Sequence, residues 1–141
     1  MKLIAGILFL MIPGAVSGEE LLVAPSNWRL THGSPPNDSL KKCFQIKSIS
    51  EPTPGLDACA LLSARLGTNI AAGYYCAKSG RISFLTSMSG DNSMGPDFYI
   101  GRLDMDGRIV GQYCVQPTND SPTTYECAAG WDMTRVSSCE D

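Results

Sequence analysis

The apolar positions of the chain fall into short runs divided by Pro- and Gly-containing breaks. The first run, Leu3 to Ile12 (LIAGILFLMI), follows Met1-Lys2 and precedes Pro13-Gly14 and the small residues Ala15 to Gly18. A short basic start, an apolar stretch and small residues are the layout of a secretory signal peptide. A membrane helix needs about 20 apolar residues, and this run stops at Pro13. Residues 1–18 are therefore expected to be a leader cleaved after Gly18, leaving a secreted chain with no membrane span. Residues 19–42 are polar and broken by Pro25, Gly33, Pro35 and Pro36. They read as an extended arm or long loop whose strong apolar anchor is Trp28.

Beyond the arm, Lys42 to Ile49 alternates like a strand, with Phe44 and Ile46 on one face. Glu51 to Gly55 breaks it. Asp57 favours a helix start, and Gly67 after Leu66 suits a helix C-terminus. Between them Cys59, Leu62 and Leu66 share a helical face at i, i+3 and i+7. A second, shorter helix is expected over 81–88, with Phe84, Leu85 and Met88 as its apolar side. Asp97 to Leu103 and Arg108 to Gln116 carry strand patterns, and Asp104-Met105-Asp106-Gly107 between them signals a tight hairpin. Pro117 to Thr124 reads as a polar loop, and Trp131 and Val136 are the last apolar anchors. The expected fold class is α+β, two short helices with an antiparallel sheet, in a single domain over 43–141.

Composition narrows the function. A chain of 141 residues, 43% hydrophobic and 18% charged, folds as one domain. Removing Lys2 with the leader leaves ten basic side chains against fourteen acidic ones. With no Lys/Arg run, there is no basic footprint for nucleic acid. The six cysteines, Cys43, Cys59, Cys76, Cys114, Cys127 and Cys139, are an even set in a small secreted domain and imply three disulfides. Structural zinc uses close pairs, and no two of these stand nearer than twelve positions. Their spacing leaves all 15 pairings open. Asn37-Asp38-Ser39 is a glycosylation sequon. A second sequon at Asn119 is followed by Pro122, which hinders glycan addition, so Asn37 is the better acceptor.

Catalysis is not expected. His32 is the one histidine and, lying in the arm, reads as a surface residue. No G-x-S-x-G elbow is present, and bridged cysteines offer no thiolate. Asp104 and Asp106 are accounted for by the hairpin tip. The tyrosines Tyr74, Tyr75, Tyr99, Tyr113 and Tyr125 can stack on sugars or anchor a protein contact.

In order along the chain, Pro25 and Trp28, Cys43-Phe44, Cys59 sixteen positions later, Phe84-Leu85, Phe98-Tyr99-Ile100-Gly101, the Asp-Gly turn, Gln116-Pro117-Thr118-Asn119 and Trp131-Asp132 resemble the C-type lectin-like domain. That resemblance implies recognition of carbohydrate or an extracellular protein at a site formed by Gln116, Asn119, Glu126 and Asp132. It also implies disulfides Cys59–Cys139, Cys114–Cys127 and Cys43–Cys76. No cofactor is expected. Calcium, if bound, should be held weakly, because at most two of those four residues are carboxylates and calcium takes six to eight oxygens. The alternative is a secreted disulfide-rich effector or inhibitor that blocks a target protein.

Overall fold

The computed structural model describes residues 22–32, 41–55, 57–87, 97–115 and 126–139. They form eight strands: β1 Ser26–His32, β2 Lys42–Ile49, β3 Cys59–Leu66, β4 Asn69–Cys76, β5 Arg81–Thr86, β6 Phe98–Leu103, β7 Ile109–Val115 and β8 Glu126–Val136. Each strand pairs antiparallel with the next, and β8 returns to β1, with His32 opposite Trp131 and Asn27 opposite Val136, so the sheet closes into a barrel. Closure removes the free strand edges that an open sheet would have to protect.

This corrects the α+β expectation: the described residues contain no helix. The two segments read as helices are β3 and β5. In β3, Ala60, Leu62, Ala64 and Leu66 are buried while Leu61, Ser63 and Arg65 are exposed, a period of two. Leu62 and Leu66 are four apart, an even spacing that lies on one face in both a helix and a strand, so that pair could not discriminate. In β5, Ile82, Phe84 and Thr86 point inward, and Phe84 and Leu85 lie on opposite faces. Asp57 starts no helix. It sits at φ 55° in the turn before β3, and its carboxylate accepts a hydrogen bond from Ser79 Oγ. Gly67 caps no helix either. With Thr68 it makes a two-residue hairpin between Leu66 and Asn69, at φ 59°.

Other readings hold. Phe44 and Ile46 face the core from β2. Asp104 to Gly107 forms the β6–β7 turn, where Asp104 Oδ1 accepts from the Asp106 and Arg108 backbone N–H groups. Ser26–His32, inside the segment read as an arm, is extended as expected but is paired on both sides.

The C-type lectin-like resemblance is overturned by the barrel and by the disulfides. Cys114–Cys127 forms, but Cys59 is bonded to Cys76 and Cys43 to Cys139. Cys59 and Cys76 are direct partners across the β3–β4 ladder, so there is no helix to be tied to the C-terminus. All six cysteines are bridged. Three disulfides belong to an oxidising compartment.

The barrel interior is filled by inward side chains from all eight strands, among them Trp28, Leu30, Phe44, Ile46, Phe84, Tyr99, Ile109, Trp131 and Met133. Eight strands enclose a space that side chains can fill, or that can hold one small ligand. The Trp131 indole fits because Gly101 and Gly111 are paired beneath it. A Cβ at Gly111 would come within 2.0 Å of the Ile100 carbonyl oxygen and 2.6 Å of Gly101 Cα. Those are backbone atoms of a laddered strand and cannot step aside. Gly111→Ala should therefore cost on the order of 3 kcal/mol. Gly101→Ala should cost less, since its Cβ meets the Trp131 ring at 2.6 Å and a side chain can shift more readily than a strand. Urea midpoints of the two variants should rank in that order.

Candidate binding site at the long-loop end of the barrel

The meander gives the barrel two unlike ends. One carries the connections 50–58, 77–80 and 104–108. At the other, β1 ends at His32, β5 ends at Thr86, β6 begins at Phe98 and β7 ends at Val115. The long connections 33–41, 87–97 and 116–125 all leave from there. Barrel mouths are recurrent ligand sites because a rigid wall holds the side chains and the loops are free to vary.

Four inward polar or aromatic residues gather at this end. His32, Tyr99 and Thr86 are buried, and Tyr113 is half-buried. His32 Nε2 and Tyr99 Oη are hydrogen-bonded at 3.0 Å, with the donor set by the histidine tautomer. The Tyr113 ring meets the His32 ring edge-on at 4.9 Å and lies 5.8 Å from Tyr99 in a stacked arrangement. A register shift in the β7–β8 ladder at Tyr113/Cys114 lies beside this group; bulges of this kind re-aim side chains. Below it the rings continue as a pile. Tyr99 stacks on Phe84 at 4.7 Å, Phe84 packs on Phe44 at 4.7 Å, and Trp131 stands edge-on to both Phe84 and Tyr99. Trp131 Nε1, in this pile, and Tyr75 Oη, toward the other end of the barrel beside the 77–80 turn, are buried without a hydrogen-bond partner among the described residues.

Burial pushes the Tyr99 phenol well above its ordinary pKa, with smaller contributions from the Asp97 charge and from Tyr113. Burial also raises Tyr75. In the unfolded chain both phenols ionise near pH ~10. In the fold they keep their protons. Above about pH 10 the native state thus holds more protons than the unfolded one, and stability falls as pH rises. Below that pH the contribution is fully present. The urea midpoint should decline on going from about pH 9 to about pH 11, and Tyr99→Phe should decline less steeply. An equal decline in the variant would remove Tyr99 as the cause.

Gln116, Asn119 and the sequon at Asn37 lie outside the described residues. Glu126 pairs with Val115 at the start of β8. Asp132 lies six residues further along the same strand, about 20 Å of extended backbone at 3.3 Å per residue. Asp132 forms an ion pair with Arg108. Asp57, Cys59 and Cys76 also bring ligand-type atoms together, but both sulfurs are committed to a disulfide. His32, read as a surface residue, is buried. Sequence reasoning missed it because Gly33, Pro35 and Pro36 follow closely and made the whole segment read as an arm. The alternation of Ser26, Trp28, Leu30 and His32 was the available clue.

Comparison of the chain with protein families, with curated proteins and with solved structures finds no match. The class is accordingly defined by architecture alone: a small up-and-down antiparallel β-barrel with three disulfides.

Proposed function

We propose that the chain is a secreted, non-catalytic binding protein that recognises carbohydrate at the long-loop end of the barrel, without calcium. The observation that carries this reading is the His32–Tyr99 hydrogen bond with Tyr113 against it, a polar aromatic group set at the mouth of an otherwise mainly apolar interior. Sugars offer alternating C–H faces and hydroxyl groups. A tyrosine ring takes the first, and a phenol hydroxyl can donate to or accept from the second. The cysteine set and the leader-like segment 1–18 support an extracellular setting. His32 faces a phenol whose proton is held more tightly than usual, which suits positioning better than proton transfer.

The test is an array of immobilised glycans, probed with the secreted protein in calcium and again in a chelator, and followed by calorimetry on any sugar retained. Binding should persist in the chelator and weaken about tenfold in Tyr113→Ala, measured well below that variant's urea midpoint. Calcium-dependent retention abolished by Asp132→Ala would move the site to the outer face of β8. Retention of no glycan would overturn carbohydrate as the ligand.

A further inference from the structure

A cleft on the outer wall of the barrel stands apart from the mouth. Phe44 faces the core, so its neighbour Cys43 faces outward from β2. The bridge to Cys139 therefore holds the tail that follows Val136 against the outside of the barrel. Beside this tail lies a cleft of about 250 Å³, lined by Arg29, Lys41, Lys42, Val136, Ser138 and the bridge itself. Lys41 and Lys42 are adjacent in the chain. Arg29 joins them because β1 pairs with β2, with Arg29 opposite Cys43 and Leu30 opposite Lys42.

The charge in this cleft runs against that of the chain. Residues 19–141 carry fourteen acidic side chains against ten basic ones, yet three of the ten line this one cleft. Among the described residues no carboxylate lines it. Asp132, opposite Thr31 on the neighbouring β8, is held by Arg108. Arg29 and Lys42 make no ion pair with a described residue. Cations gathered without a counter-charge repel one another, and an entering anion relieves that repulsion. The planar fork of Arg29 can pair with a carboxylate or sulfate through two parallel hydrogen bonds, and Lys42 adds a point charge. Val136 and the bridge sulfurs offer apolar contact, and Ser138 offers a hydroxyl.

We propose that this cleft is a second binding site, which takes one acidic sugar unit, a ring bearing a carboxylate or sulfate. The anionic group pairs with Arg29 and Lys42, and a C–H face of the ring packs on Val136 and the bridge. Size argues for a single ring, since about 250 Å³ falls below the roughly 300–1,000 Å³ of pockets that enclose drug-sized ligands. Three cations at one spot are not the extended stripe that a nucleic acid requires. The site uses none of His32, Tyr99 and Tyr113, so it stands or falls separately from the mouth. A small carboxylic acid that is not a sugar shares the anionic group, and the probes below separate the two.

The test is an amide NMR titration of the secreted, fully oxidised protein with methyl glucuronide, the neutral methyl glucoside and butyrate. Glu140 and Asp141 lie outside the described residues, so the chain is titrated with its C-terminus intact. Methyl glucuronide should give saturable shifts at the Arg29, Cys43 and Ser138 amides. Methyl glucoside and butyrate should each bind at least about tenfold more weakly, one lacking the charge and the other the ring. Arg29→Gln and Lys42→Gln, both at exposed side chains, should each weaken methyl glucuronide about tenfold and leave the urea midpoint unchanged. Lys47→Gln makes the same change in net charge at an exposed β2 lysine outside the cleft, and should leave binding as it is. No saturable shift up to about 10 mM, affinity for methyl glucoside or butyrate equal to that for methyl glucuronide, or a loss in Lys47→Gln equal to that in Arg29→Gln overturns the proposal.

Discussion

Replacing Cys43 and Cys139 together by alanine should destabilise the protein more than removing either other disulfide. The bridge spans 96 positions, against 17 for Cys59–Cys76 and 13 for Cys114–Cys127. Restricting the unfolded chain over a loop of that order is worth about 4.7 kcal/mol, against about 3 kcal/mol for a loop of ~15 residues. The native contacts argue the same way. Cys59–Cys76 and Cys114–Cys127 join residues that the ladder already holds opposite each other. Cys43–Cys139 holds a tail that leaves β8 at Val136, where Asn27 Nδ2 donates to the Ser137 carbonyl at 3.3 Å, and that then reaches β2. A domain of this size commonly has 5–15 kcal/mol in total, so the variant should fold with a much lowered urea midpoint. A loss smaller than that of Cys59→Ala/Cys76→Ala would mean that the long loop is already constrained in the unfolded chain.

Phe84→Ala should be the most damaging single truncation, at about 3–5 kcal/mol. Phe84 is 1% exposed and touches three other rings: Phe44 and Tyr99 at 4.7 Å and Trp131 at 6.0 Å. Removing it takes away those ring contacts as well as the buried area. The spread in such costs depends on how far the surroundings can collapse. Here collapse is restricted, since β5 is laddered to β4 and β6 and cannot move inward without carrying both. The cost should sit at the upper end of the range, and near-UV circular dichroism should change with it, because four aromatic rings lose their mutual packing. Phe84→Leu keeps most of the volume and should cost less than half as much.

Particular residues separate what was legible in the chain from what was not. The strands at Phe44/Ile46 and on both sides of Asp104–Gly107 could be read because β-branched or aromatic residues alternate there and a turn dipeptide marks the join. β3 could not, because Ala, Leu and Arg are good helix formers and Leu62/Leu66 fit either period. Its strand conformation is set by neighbours: β2 and β4 supply the ladder, and the barrel supplies the apolar side for Ala60, Leu62, Ala64 and Leu66. The glycine at 67 was recognised as a stop, and only the hairpin shows what it stops. At the candidate site, Tyr99 and Tyr113 were visible as tyrosines. Their meeting with His32, 67 positions from Tyr99, required strand order.

By itself the sequence determined an oxidised six-cysteine framework, the break at Glu51–Gly55 and the turn at Asp104–Gly107. These follow from composition and from residues such as Gly and Asp that act on their own backbone. Closure of the sheet, the pairing of the six cysteines, the burial of His32 and the apolar outer wall were decided by tertiary structure. Each depends on which residues far apart in the chain become neighbours, and a period-two pattern tells a strand which face is inside without telling it which strand lies beside it.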